Sequence, residues 1–358
     1  MTLRYGLVGT GMMGVEHIKN VRVAVDAEIV AIADPAAGSL EWAKGALESE
    51  PTVYADSAAL AKAGLDAVIV ASPNHTHRSV LEPLFDAGLN ILCEKPLATT
   101  VEDARWIVDR AAQSPGIFWT AMEYRYMPPA AAFIEQVHGG RIGRLQMLSI
   151  REHRFPFLPK VGDWNRFSEN TGGTMVEKCC HFFDLMRLIT QSEAVRVYCS
   201  GAMDVNHLDE LYNGRTPDII DNSYTTVDFA NGTRAMLDLS MFADGAEQQE
   251  EIAAVGSTAR LECLIPAGDL VFSPRTGFMQ PKTPERTHVP VDELALKSGS
   301  HHGSTFYEHQ KFYSALVDNG PVEVSAHDGM MAVAIGTAAE ISAREHRVVT
   351  MDELGFRP

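Results

Sequence analysis

One turn constrains this chain more than any other feature. Gly9-Thr10-Gly11-Met12-Met13-Gly14 follows directly on the strand-like run YGLVG and opens a helical pattern near Met13. Strand, glycine turn and helix in that order begin a βαβ unit. The first glycine allows the tight turn, the second lets backbone approach a pyrophosphate, and the third brings helix and strand together. Gly9, Gly11 and Gly14 are therefore expected to hold a dinucleotide, its phosphates at the positive helix end formed by Met12 and Met13. Asp34 ends the second strand-like run 20 residues after Gly14, where a carboxylate grips the adenosine ribose hydroxyls. A carboxylate there disfavours a 2′-phosphate, and Pro35, Ala36 and Ala37 supply no arginine for one. NAD is the expected cofactor, with NADP disfavoured.

The pattern around the turn extends it into a fold. From residue 3 to about 122, the runs LRYGLVG, EIVAIAD, DAVIVAS, NILCEK and IFWTAM alternate with helical stretches at 38–49, 75–87 and 100–114. That is how βαβ units and a doubly wound parallel sheet read. After Pro128-Pro129 and Gly139-Gly140 the pattern changes to alternating runs: LQMLSIREH, AVRVYCS, NSYTTVDF, RAMLDLSMF, EEIAAVG and ARLECL. These predict a large antiparallel sheet. A helix is expected over about 173–190, two more near 304–318 and 327–344, and a long loop over 273–290. At 358 residues the chain exceeds what one core supports. The reading is an α/β protein of two domains: a doubly wound Rossmann domain over 1–123, then an α+β domain over 124–358 with an open, mostly antiparallel sheet.

Charge and cysteine usage narrow the partners. Thirty Lys and Arg against 47 Asp and Glu give a net charge of −17, which repels nucleic-acid backbones and anionic lipid. Cys93, Cys179, Cys180, Cys199 and Cys263 are odd in number and show no CxxC spacing. A disulfide framework is disfavoured and a reducing cytoplasm fits. The first strand begins at Arg4 or Tyr5, leaving no room for a cleavable signal, and no apolar run approaches a membrane span.

Two further segments carry chemistry. Ser72-Pro73-Asn74-His75-Thr76-His77 leaves the third long strand at its carboxyl edge, where Pro73 and Asn74 turn the chain beneath the nicotinamide half. The two histidines read as caps or packing, since no cysteine or carboxylate close in sequence completes a metal set. Glu94-Lys95-Pro96 ends the fourth long strand, placing a fixed cation on the ligand side of the sheet. Lys95 can act as a base if burial beside a positive nicotinamide lowers its pKa, or stay charged and polarise a substrate oxygen. In the second domain, Gly172-Gly173 runs into a helix on which Glu177 and His181 are i and i+4, with Asp184 three further on. A carboxylate beside an imidazole fixes its tautomer and suits it to acid–base work. Cys179 and Cys180 read as small core residues. His301 and His302 fall in a Gly/Ser-flanked stretch that reads as a surface loop of the second domain.

Taken together, GTGMMG at 9–14, Asp34, SPNHTH at 72–77, EKP at 94–96, YRYMP at 124–128, IGRL at 142–145 and GGTMVEKCCH at 172–181 resemble the Gfo/Idh/MocA oxidoreductases. The resemblance runs from the first glycine motif to the terminal helix. It implies that Lys95 and His181 are the catalytic pair, and that the open sheet of the second domain forms a subunit interface, giving a homodimer or homotetramer. The helical acid is Glu177 where that family usually has Asp, and Glu123 replaces its usual Asn. The expected reaction is NAD-dependent oxidation of a secondary hydroxyl on a sugar, sugar acid or cyclitol, His181 taking the proton, Lys95 holding the same oxygen and Glu177 orienting His181. Ser72, Pro73, Asn74, His77, Glu94 and Lys95 join the glycine turn as cofactor contacts. Glu123, Arg125, Tyr126, Trp164, Asn165 and Lys178 are the candidate substrate contacts, and no metal is expected. The rival readings are a redox-neutral enzyme that uses tightly held NAD to eliminate or cleave a glycoside, and a non-catalytic NAD-responsive regulator.

Overall fold

Alternating β-branched runs and helices become a parallel sheet because the apolar strands can be covered on both faces. The computed structural model describes residues 2–357, which divide into two compact units. The first contains β1 (Leu3–Val8), α1 (Met12–Ala24), β2 (Ala27–Ala33), α2 (Ala37–Ala46), β3 (Thr52–Tyr54) and α3 (Ser57–Leu60). It continues with β4 (Ala67–Val70), α4 (His77–Asp86), β5 (Asn90–Glu94), α5 (Val101–Gln113) and β6 (Phe118–Ala121). The six strands are parallel, in the order β3-β2-β1-β4-β5-β6. Strand order reverses between β1 and β4, which opens a crevice at the carboxyl ends. Ala67, Val68, Ile69 and Val70 are all fully buried, so the central strand shows no alternation. The short edge strand β3 lies outside the runs read from the sequence.

The second unit carries α6 (Pro128–His138), β7 (Leu145–His153), α7 (Ser168–Thr171), α8 (Thr174–Glu177), α9 (Cys180–Thr190), β8 (Ala194–Ala202) and β9 (Asn222–Phe229). It continues with β10 (Arg234–Ser240), β11 (Glu250–Gly256), β12 (Ala259–Ile265), β13 (Asp269–Pro274) and β14 (Glu285–His288). The chain then adds α10 (Glu293–Ser298), α11 (Ser304–Val317), α12 (Ala326–Glu345) and β15 (Val349–Thr350). The nine-stranded sheet runs β14-β13-β12-β11-β7-β10-β9-β8-β15. All its pairs are antiparallel except β7 with β10. Inward residues such as Val227, Leu237 and Leu261 are fully buried, whereas Met147, Tyr198, Tyr224 and Met236 stand exposed. Part of the expected 273–290 loop is the exposed strand β14, which pairs with β13 through Asp269↔His288.

The units do not divide at a single cut near 123/124. Asp292–Val333 joins the residues up to Tyr126, and Met127–Val291 joins Ala334 onward. The reason lies in the packing of α11. Phe312 is fully buried and meets Tyr5 of β1 and Trp119 of β6 edge-on, at 6.2 and 6.1 Å between ring centroids. Burying one such phenyl ring contributes about 2–3 kcal/mol. The stretch holding His301 and His302 therefore belongs to the first unit. Among the described residues, no helix is long and apolar enough to cross a membrane.

The helix expected over 173–190 is broken. α8 ends at Glu177 and α9 begins at Cys180, because the Thr174 carbonyl accepts both the Lys178 and Cys179 N–H groups, at 3.0 and 3.1 Å, and the ladder slips there. Glu177 and His181 thus sit either side of a joint rather than on one continuous face. What seats α8 is Glu340 of α12, whose Oε1 accepts the Met175 N–H at 2.9 Å. Gly173, at φ +89°, leaves the necessary room, since a Cβ there would lie 2.2 Å from that oxygen. Burial pushes the Glu340 carboxyl up to about 7, so the native state favours its protonated form. The stability it contributes is present below the ordinary 4.5 and is lost as pH rises through about 7. Glu340→Gln, which keeps the acceptor and cannot ionise, is expected to gain about 3 kcal/mol at pH 8.5 and nothing near pH 4.5. Urea unfolding at the two pH values checks this, and equal pH slopes in the two proteins would refute it.

Candidate active site

The glycine turn is shaped by contact as well as by flexibility. Gly9 has φ +90°, and a Cβ on it would lie 2.4 Å from the backbone of Ala71 and Ser72 at the end of β4. A Cβ on Gly14 would lie 2.3 Å from the Gly9 carbonyl oxygen. Gly11 faces open space and is the N-cap of α1, with no side-chain cap and no acidic residue in the first turn. The first N–H groups of α1 are therefore presented outward beside Met12, which is exposed, and Met13, which is half-buried. That arrangement suits a pyrophosphate. Asp34 supports the same turn from β2. Its Oδ2 accepts the Thr10 N–H and its Oδ1 the Ala36 N–H, both at 2.7 Å.

The loop after β4 folds on itself. Thr76 Oγ1 lies 2.9 Å from Ser72 Oγ and 2.6 Å from the Pro73 carbonyl, while Asn74 is buried in the 3-10 turn that follows Pro73. His77, expected among the cofactor contacts, is fully buried at the start of α4. Its Nε2 lies 3.1 Å from the Ser72 carbonyl and its Nδ1 3.2 Å from that of Leu97. Burial lowers its pKa despite those carbonyls. It braces two loops at the strand ends.

Lys95 follows β5, half-buried, and its backbone N–H donates to Oε2 of Glu94 at 3.0 Å. The other Glu94 oxygen, Oε1, lies 3.0 Å from His17 Nε2, and His17 Nδ1 lies 2.9 Å from His309 Nε2. Burial works to raise the Glu94 pKa, but the His17 hydrogen bond and the Lys95 charge bring it below the usual carboxylate value. Glu123, in the turn after β6, is almost fully buried, and that burial pushes its carboxyl up to about 6 against the pull of His301. His301 Nδ1 lies 3.9 Å from Glu123 Oε1 and 3.2 Å from Glu16 Oε1. Glu16 also receives Ser300 Oγ at 2.8 Å and Thr305 Oγ1 at 3.2 Å. Despite its burial, the bonds from His301 and Ser300 take Glu16 down to about 2. The loop expected to lie loose on the second domain is thus tied to α1 of the first unit.

Several expected substrate contacts also have partners within their own unit. Arg125 is buried, donates to the Glu323 carbonyl at 2.8 Å and lies 3.7 Å from Asp328 Oδ1. Tyr126 stacks on Trp119 with centroids 6.3 Å apart. In the second unit, Asn165 is fully buried and donates to the Leu158 carbonyl at 3.0 Å. Lys178 is buried with its Nζ 2.9 Å from Oε1 of the fully buried Glu152. Burial and the neighbouring Glu152 push Glu250 beside them up to about 8. Trp164 stays half-buried in the 3-10 turn Val161–Arg166. Glu177 and His181 are both buried, at the end of α8 and in the first turn of α9.

The first unit therefore gathers Gly9, Gly11, Gly14, Asp34, Ser72, Glu94, Lys95 and Glu123 along the carboxyl edge of β2, β1, β4, β5 and β6. Sequence reasoning missed Glu16, His17, Glu308 and His309. The first two follow the glycine turn closely enough to have been noticed, but no spacing rule links them to α11.

Comparison with known proteins agrees with the Rossmann fold of the first unit. The family model described as "Oxidoreductase family, NAD-binding Rossmann fold" matches residues 3–122, and "Oxidoreductase family, C-terminal alpha/beta domain" matches 134–351. The chain is 27% identical over 352 residues to an inositol 2-dehydrogenase of Rhizobium meliloti, covering 98% of this chain and 100% of that one. It is 26% identical to a myo-inositol 2-dehydrogenase of Thermotoga maritima, with 98% and 99% covered. Among solved structures, a probable dehydrogenase from Thermotoga maritima superposes with a TM-score of 0.79 at 26% identity, over 98% of this chain and 99% of that one. A levoglucosan dehydrogenase in complex with NADH and levoglucosan shares the fold, with a TM-score of 0.83 at 20% identity over 98% and 100%.

Proposed function

The chain belongs to the Gfo/Idh/MocA oxidoreductase family, and from that premise we propose that it is an NAD-dependent dehydrogenase of polyols, oxidising a secondary hydroxyl of a cyclitol, sugar or sugar acid. The observation that carries the reading is Lys95 at the carboxyl end of β5, on the same sheet edge as a glycine turn whose helix end is left open for a pyrophosphate. The similarity to two inositol 2-dehydrogenases favours a cyclitol.

The turn residues bind: Gly9 and Gly14 let β1, β4 and α1 close together, and Gly11 leaves the amides exposed. A bound NAD would supply the hydride acceptor. The ammonium of Lys95 holds the reacting hydroxyl oxygen and offsets charge as its proton leaves. His181 takes that proton, with Glu177 orienting the ring. Of the expected substrate contacts, Trp164 offers a half-buried aromatic face to a polyol, while Glu123 acts on charge near Lys95. Asp34, with no arginine at 35–37, favours NAD over NADP.

We also take the exposed Met147, Tyr198, Tyr224 and Met236 as the centre of a self-association surface giving a homodimer or homotetramer. Five buried free thiols fit a reducing cytoplasm.

The test is absorbance of reduced nicotinamide when the protein and NAD meet a panel of cyclitols, aldoses and sugar acids. Turnover is expected on at least one cyclitol or sugar, with NADP a poor substitute. Product without net reduced cofactor would replace this reading with the redox-neutral one. NAD binding without turnover on any polyol would favour a regulator.

A further inference from the structure

Three side chains that share no sequence motif form one buried chain of hydrogen bonds in the first unit. His17 of α1 and His309 of α11 are fully buried, and Glu94 of β5 almost so. The order of donation can be worked out. His309 Nδ1 meets no hydrogen-bond partner among the described residues, and a buried N–H without an acceptor is rarer than a bare ring nitrogen. The proton of His309 therefore sits on Nε2 and is donated to His17 Nδ1. That leaves His17 protonated at Nε2, which donates to Glu94 Oε1. The second carboxylate oxygen receives the backbone N–H of Lys95. Every donor ends on Glu94, and the far end at His309 is closed, so the chain cannot pass a proton on. It can only hold the carboxylate in place.

We propose that His17, braced by His309, is a positioning residue that acts through Glu94 to fix the bearing and the charge of Lys95, an inference that rests on the role of Lys95 proposed above. An apolar trio of the same volume would fill this space at least as stably, because burying ionisable groups is costly. Their presence beside Lys95, at the carboxyl end of β5, is what points to function. The other titratable groups facing Glu94 and Lys95 are Cys93 of β5, His77 of α4, Glu123 after β6 and Glu308 of α11. Burial and the other two acids raise Glu308 well above the carboxylate range, so it stays neutral. Glu94 and, above about pH 6, Glu123 are then the anions at Lys95.

The experiment compares His17→Leu, His17→Gln and His309→Phe with the parent enzyme in two assays. One is steady-state oxidation of myo-inositol with NAD. The other is the rate at which acetic anhydride modifies Lys95 at fixed pH without substrate, read by peptide mass spectrometry. Without the His17 donor, Glu94 takes up a proton more readily and the ammonium loses its partner. His17→Leu is therefore expected to lower kcat roughly 30-fold with KM within about twofold, and to speed Lys95 modification about fivefold. His17→Gln, which keeps an N–H toward Glu94, should restore most of both, and His309→Phe should fall between. Should His17→Leu fail to fold, the other two variants carry the comparison. Unchanged Lys95 modification in folded variants overturns the proposal. Altered modification in proteins that never oxidise myo-inositol, the parent included, upholds it and overturns the inositol reading instead.

Discussion

Lys95→Ala is expected to lower kcat on the best polyol about 10³-fold, equivalent to about 4 kcal/mol of barrier, while leaving NAD affinity within a few-fold of the parent. The size follows from what the ammonium does. It donates to an oxygen that gains charge only as the hydroxyl proton departs, so its loss is felt in the transition state more than in the bound complex. The cofactor turn is built by Gly9, Gly11, Gly14 and Asp34, none of which depends on this side chain, so binding of NAD should survive. Steady-state rates with a parallel NAD titration separate the two. A variant within tenfold of the parent would remove Lys95 from the chemistry. Loss of NAD binding in step with kcat would make it a cofactor ligand alone.

Gly9→Ala is expected to destabilise the first unit by at least about 3 kcal/mol and to abolish NAD binding. Two independent costs act there. At φ +90° a side chain is strained wherever it points, and the added methyl would sit 2.4 Å from backbone atoms of Ala71 and Ser72, which cannot rotate away. Gly11→Ala is the internal control. Its φ is −72° and nothing lies within 4 Å of the added methyl. Stability should stay within about 1 kcal/mol of the parent, while NAD affinity falls because the methyl occupies the side from which a pyrophosphate approaches. Urea unfolding with and without NAD reads both. Equal stability of the two variants would show that the close approach of β1 and β4 is not what the first glycine provides.

How much of this could be read beforehand follows the range of the forces involved. The parallel sheet was legible because every strand but β3 is a local apolar run and several helices end near a glycine, and the second sheet because its strands alternate. The glycine turn, Asp34 and Lys95 were legible because strand ends place them. What escaped depends on contacts distant in sequence. His17 and His309 are 292 positions apart, and no periodicity in either helix marks them as partners. Lys178 sits beside Glu177 in sequence and looked equally available, yet Glu152, from a strand some 25 residues earlier, holds its ammonium in the core. The break between α8 and α9 was hidden as well. The ladder slips where the Thr174 carbonyl accepts two N–H groups, and no residue type in 173–190 signals it.

The membership of Asp292–Val333 in the first unit has a consequence for how the protein is made. A ribosome completes β1 to β6 within the first third of its work, but Phe312, which covers Tyr5 and Trp119, and His309, which holds His17, emerge near the end. Until then the dinucleotide end of the molecule lacks its last layer, and the carboxylate beside Lys95 lacks its brace. The third of the chain that is translated first is thus among the last to reach its final form.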